Sequence, residues 1–131
     1  MFLELRAAAS TNAIPTIRTV AADLAARADF DLDSIDDLRM AVDDLCAMLV
    51  RVAAASGTLS CRFTVRPERI EVAAEVDVDE GADPLPTRTF GWRVLECLAD
   101  EVSAGSLPAE HDQHGRVCIT LVKVAATAQQ P

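Results

Sequence analysis

The sequence predicts an α/β fold, a two-layer sandwich in which helices cover one face of a mixed, mostly antiparallel sheet. Three observations point there. Between Ser34 and Val50 the residues Ile35, Leu38, Val42, Leu45 and Leu49 recur at spacings of three and four, the pattern of one buried helix face. From Leu59 to Val65, and again from Ile70 to Val78, apolar and polar residues alternate as they do in strands. The order of elements, β-α-α-β-β-α-β, gathers most strands late and lets the helices share one side of them.

Phe2, Leu3 and Leu5, with Glu4 and Arg6 beside them, read as a first strand. Ser10 or Thr11 can cap a helix that tolerates Pro15 in its first turn and runs to about Arg27. It should bury Ile14, Ile17, Val20 or Ala21, Leu24 and Ala28. After a short connection over Asp29 to Asp33 comes the organising helix. Ser34 is its candidate N-cap, and Asp36 and Asp37 complement the dipole in its first turn. Ser56-Gly57 should end it, with Gly57 as a left-handed cap. The two alternating strands follow as a hairpin around Arg66-Pro67-Glu68-Arg69. The stretch from Asp79 to Pro86 is a loop, Thr89 to Val102 a helix anchored by Trp92, Leu95 and Leu98, and Gly105 to Gly115 a polar loop. Arg116 to Val124 closes a single domain over residues 1–124, and 125–131 read as a frayed tail.

A chain of 131 residues, half of them hydrophobic, can build one real core. Its formal charge of −9 disfavours nucleic acid and favours a basic partner. No apolar run is long enough to span a bilayer, and Glu4 interrupts the stretch a signal peptide would need, which points to the cytoplasm. Cys46, Cys61, Cys97 and Cys118 have no CxxC or zinc spacing and read as small buried hydrophobes. His111 and His114 have HxxH spacing without a third ligand and read as surface residues. No metal site is expected.

Four segments carry a family resemblance: IDDLRMAVDDLCAML in the organising helix, VDVDEGAD after the second alternating strand, FGWRVLECLADEV, and the closing GRVCITLVK. Over Arg6 to Val124 the chain resembles the RsbW/SpoIIAB-type anti-sigma factors, serine kinases of the GHKL (Bergerat) ATPase fold. In FGWRVLECLADEV it looks most like the divergent actinobacterial anti-sigma-F (UsfX-like) proteins. The resemblance implies a cytoplasmic homodimer that binds an alternative, stress-response sigma factor and is released by an anti-anti-sigma protein. It implies an ATP or ADP site at Asp44, Met48, Asp79, Gly81 and Gly91, with Asp44 at the family's catalytic glutamate and Met48 at its magnesium-binding asparagine. Arg18 stands at the arginine that contacts both the sigma factor and its competitor.

The departures matter chemically. Asp44 is one methylene shorter than glutamate, which withdraws it from a hydroxyl it would have to activate. Met48 offers a soft thioether, which does not suit hard Mg²⁺. Only Ala82 to Arg88 remains for a lid, and the family's GxGL turn reads Thr89-Phe90-Gly91-Trp92. Apart from the resemblance, Asp44 reads as a solvated carboxylate, Met48 as core filling and Arg18 as a solvated cation. Two functions therefore stand: a sequestering anti-sigma factor with a degenerate nucleotide site, and an active ATP-dependent serine kinase using Asp44. A plain scaffold domain is the third.

Overall fold

A hairpin sits at the heart of the sheet, and the remaining strands are added on either side of it. The computed structural model describes residues 1–82, 85–107 and 115–126. In chain order they form β1 (Phe2–Ala8), a 3₁₀ turn (Thr11–Ala13), α1 (Ile14–Arg27), α2 (Leu32–Val52), β2 (Thr58–Arg66), β3 (Arg69–Val78), α3 (Phe90–Leu98), β4 (Glu101–Leu107) and β5 (Gly115–Val124). The five strands lie in the order β1-β2-β3-β5-β4. Every pairing is antiparallel, so the sheet is not mixed as the sequence suggested.

The register follows from which residues must be inside. Leu5, Cys61, Ala74, Ile119 and Ala104 stand opposite one another across the sheet. A slip of one residue would turn each of these to the other face. Phe63, Val72, Val76, Ile119 and Leu121 are fully buried beneath α2, whose Leu38, Val42, Leu45 and Leu49 have no exposure either. Each such side chain contributes roughly 1.5–3 kcal/mol through removal from water. The other face carries charge, with Arg116 3.3 Å from Glu75.

Several boundaries differ from the sequence reading. The N-cap of α2 is Asp31, whose carboxylate accepts from the Ser34 amide at 3.0 Å. Ser34 is instead buried in the first turn, where its hydroxyl accepts from the Ala126 amide at 3.0 Å. Helix α2 ends at Val52 with Ala53 extended. Gly57 is not left-handed; it is needed because a Cβ there would stand 3.0 Å from the Ala54 carbonyl and 3.2 Å from that of Asp77. The left-handed glycine is Gly81, at φ 78°.

Helix α3 stops at Leu98, four residues short of the expected Val102. Ala99 is extended, the Asp100 amide donates to Val122 O at 2.8 Å, and the chain enters β4 where a helix and then a loop were expected. Lys123 closes the helix end by donating to Leu98 O at 2.9 Å and to Asp37 at 3.4 Å. Ala125, assigned to a tail, is buried and donates to Glu68 O at 2.9 Å. Cys46 and Cys61 are buried as expected, but Cys97 is exposed and Cys118 only half-buried.

Candidate functional site

Helix α2 presents Asp44, Met48, Arg51 and Val52 along one face, because Asp44, Arg51 and Val52 each lie three or four residues from Met48, steps that return to nearly the same side of a helix. Opposite them stands the start of α3, with Thr89, Phe90, Gly91 and Val94. Between the two, and closed at one side by Leu85 and Pro86, is a cavity of about 380 Å³. Thr89 fixes the start of α3 by accepting from the Trp92 amide at 3.1 Å. Trp92 itself is buried, as a core anchor should be.

Gly91 and Met48 meet across this cavity. A Cβ on Gly91 would lie 2.9 Å from the Met48 methyl, so the bare glycine is what lets that side chain reach α3. Magnesium does not fit these residues. A hard cation needs oxygen donors, and the side chains of the cavity wall offer one carboxylate, one hydroxyl already bonded to the Trp92 amide, and a thioether packed against a helix. Among the described residues no cluster of three or more His, Cys, Asp or Glu could hold a metal. His111 and His114 lie outside the described residues.

The Asp44 carboxyl is pushed above the usual carboxylate range, first by burial and then by the adjacent Asp43, while Arg51 opposes the rise. A raised folded-state value means the protonated acid fits better than the anion. Its contribution to stability is present below the unfolded value and is lost as pH rises through the folded one. Asp44→Asn should therefore raise the thermal midpoint at neutral pH and leave it unchanged at pH near 3, below the ordinary carboxylate range. Melting curves across that range test this; a destabilised variant at neutral pH would contradict it.

Two of the sequence-derived nucleotide residues lie apart from the cavity wall. Asp79 and Gly81 follow β3 on an exposed turn, closed by Ala82 N donating to Asp79 O at 3.1 Å, and neither lines the cavity. Asp44, Met48 and Gly91 are brought together. Arg18 is elsewhere, half-buried on α1, donating to Asp43 at 3.0 Å. Arg18, Arg39, Met40 and Asp43 outline a second hollow of about 300 Å³. The other Asp43 oxygen, Oδ1, is shut off from solvent and has no hydrogen-bond partner among the described residues. Sequence reasoning missed Arg51 and Asp43. Arg51 could have been found, three residues beyond Met48 and seven beyond Asp44; the cross-helix contact of Asp43 leaves no trace in spacing.

The Cys46 thiol is held well above its ordinary range by its hydrogen bond with Cys61 and by burial, so Cys46 is inert core.

No family model matches the chain. It is similar to the anti-sigma-F factor RsbW of Mycobacterium tuberculosis, 36% identical over 101 residues, which cover 76% of this chain and 59% of that protein. It thus spans less than two thirds of the mycobacterial relative. It is also similar to the serine-protein kinase RsbW of Bacillus subtilis, 31% identical over 109 residues, covering 81% of this chain and 68% of the relative. The serine-protein kinase RsbW of Bacillus velezensis is 27% identical over 125 residues. With this extent of likeness, the chain belongs to the RsbW family of anti-sigma factors and serine-protein kinases.

Proposed function

We propose that this protein is an anti-sigma factor that holds an alternative sigma factor by binding alone and gives it up to an anti-anti-sigma protein. The observation that carries this reading is the Met48 side chain packed against Gly91, which puts a thioether where phosphoryl transfer would need a magnesium ligand. A binding role makes no such demand. The relative named as an anti-sigma-F factor supports it, as does the charge of −9, which suits the basic DNA-binding surface of a sigma factor. In this reading the protein acts as a cytoplasmic homodimer, and Arg18 on α1 is the anchor for both sigma factor and competitor.

A second reading keeps catalysis. Asp44 does line the cavity, and two of the relatives cited above are named serine-protein kinases. Here Asp44 would activate a serine hydroxyl of the anti-anti-sigma protein.

Light scattering on the protein mixed with an alternative sigma factor, with and without Mg·ATP, separates the two. A stable complex indifferent to nucleotide is expected. No complex in either condition would overturn the first reading. Transfer of ³²P from labelled ATP to an anti-anti-sigma protein, abolished by Asp44→Ala, would establish the second.

A further inference from the structure

Two guanidiniums from different helices meet at one hollow. Arg18 comes from α1 and Arg39 from α2, and Met40 and Asp43 complete the wall of a space of about 300 Å³. Arg39 and Asp43 are four residues apart on α2, so they face the same way. Among the described residues each guanidinium makes one ion pair, Arg18 with Asp43 at 3.0 Å and Arg39 with Asp36 at 2.9 Å. A guanidinium fork has more donors than one such contact uses, so both keep donors for a group from outside. The side chains of both pairs are more than a third exposed, and pairs of that kind contribute little. An incoming carboxylate can therefore take the place of Asp36 or Asp43 at small cost. Met40, 48% exposed, adds an apolar surface to the same wall.

The charge around this hollow is of the other sign. Helix α2 carries Asp33, Asp36, Asp37, Asp43 and Asp44 against only Arg39 and Arg51. A basic partner drawn in by the charge of −9 thus meets two cations at this point, and a uniformly basic surface is repelled there. We propose that the hollow selects the partner, taking a carboxylate side chain with an apolar neighbour from the otherwise basic surface of a sigma factor, and that Arg39 and Met40 read it. The inference rests on the sequestering function proposed above and names the chemistry that the partner must show. Planar donor forks grip a carboxylate through paired N–H···O bonds. A sigma factor without that carboxylate leaves cation facing cation, so the contact rejects as well as attracts.

Calorimetric titration of an alternative sigma factor into the full chain tests this with the parent, Arg39→Gln, Met40→Glu and Arg27→Gln. Arg27 is an exposed arginine of α1 paired with Asp23, and it does not line the hollow. By the long-range field alone, removing either cation from an acidic protein draws a basic partner slightly closer. Arg39→Gln is instead expected to weaken the complex about tenfold, the loss of one charge-assisted contact, while Arg27→Gln stays within about twofold of the parent. Met40→Glu, which gives the hollow a carboxylate of its own, should weaken it at least as much as Arg39→Gln. Arg39 and Met40 are exposed, so their variants should melt like the parent. A second sigma factor that the parent binds more weakly should lose nothing to Arg39→Gln, so the ratio of the two affinities narrows, which a general loss of structure would not produce. An Arg39→Gln complex as tight as the parent's, an equal loss in Arg27→Gln, or an unchanged ratio would each overturn the inference and leave the sequestering function standing. A parent that forms no complex removes the sequestering function, and this inference with it.

Discussion

Replacing Leu45 with alanine should cost the domain about 2–5 kcal/mol, the range for truncating a large aliphatic side chain in a closed core. Leu45 has no exposed surface and lies on the α2 face that covers the sheet. Helix α2 packs against α1 and α3 as well as β3 and β5, so the space Leu45 leaves cannot close by moving one loop. A domain of this size has roughly 5–15 kcal/mol to lose in total. The variant should therefore unfold at far lower urea with an unchanged slope of free energy on denaturant. A loss under 1 kcal/mol would mean that α2 does not sit on the sheet as described.

The largest functional effect should come from Arg18. Reversing its charge in Arg18→Glu is expected to weaken the sigma complex by about a hundredfold or more, about 2.7 kcal/mol, as for a central arginine anchor. The same change also breaks the 3.0 Å pair with Asp43, whose other oxygen already lacks a partner. Because both side chains are more than a third exposed, that structural loss should stay near 1 kcal/mol. Asp43→Asn separates the two roles. It removes the same ion pair but leaves Arg18 free of its internal competitor, so sigma binding should hold or tighten. If Asp43→Asn weakened the complex as much as Arg18→Glu, Arg18 would act through the helix pair and not through the partner.

Where a residue's neighbours lie on its own element, the sequence was a good guide. The three-and-four spacing in α2 and the strict alternation in β2 and β3 left their elements unmistakable, because burial of one face dictates both patterns. Edge strand β4 was hidden for the converse reason. Glu101 to Leu107 is exposed along nearly its whole length, so nothing forces alternation on it. Leu95, Leu98 and Val102 are spaced three and four apart, which continued the helical pattern past the point where Asp100 joins β5. Asp31 and Ser34 are both good caps three residues apart; the Ala126 amide donates to both, and it is the Asp31 carboxylate that accepts from the Ser34 amide and caps the helix. In the site, the turn-to-turn relation of Asp44 and Met48 was legible, as was Gly91. Asp79 and Gly81 were assigned through the family resemblance of VDVDEGAD, and they stand on the exposed turn after β3.

The strand order also bears on how the protein is made. β5 is the last described strand to be synthesised, yet it lies between β3 and β4. Until it emerges, β3 has one partner instead of two, and β4 has none. A nascent chain thus carries an open strand edge beside Val72 and Val76, the kind of edge that pairs with other chains. A chain whose translation halts at Gly115 should therefore aggregate, so loss of the last strand acts on protein quantity before it acts on binding.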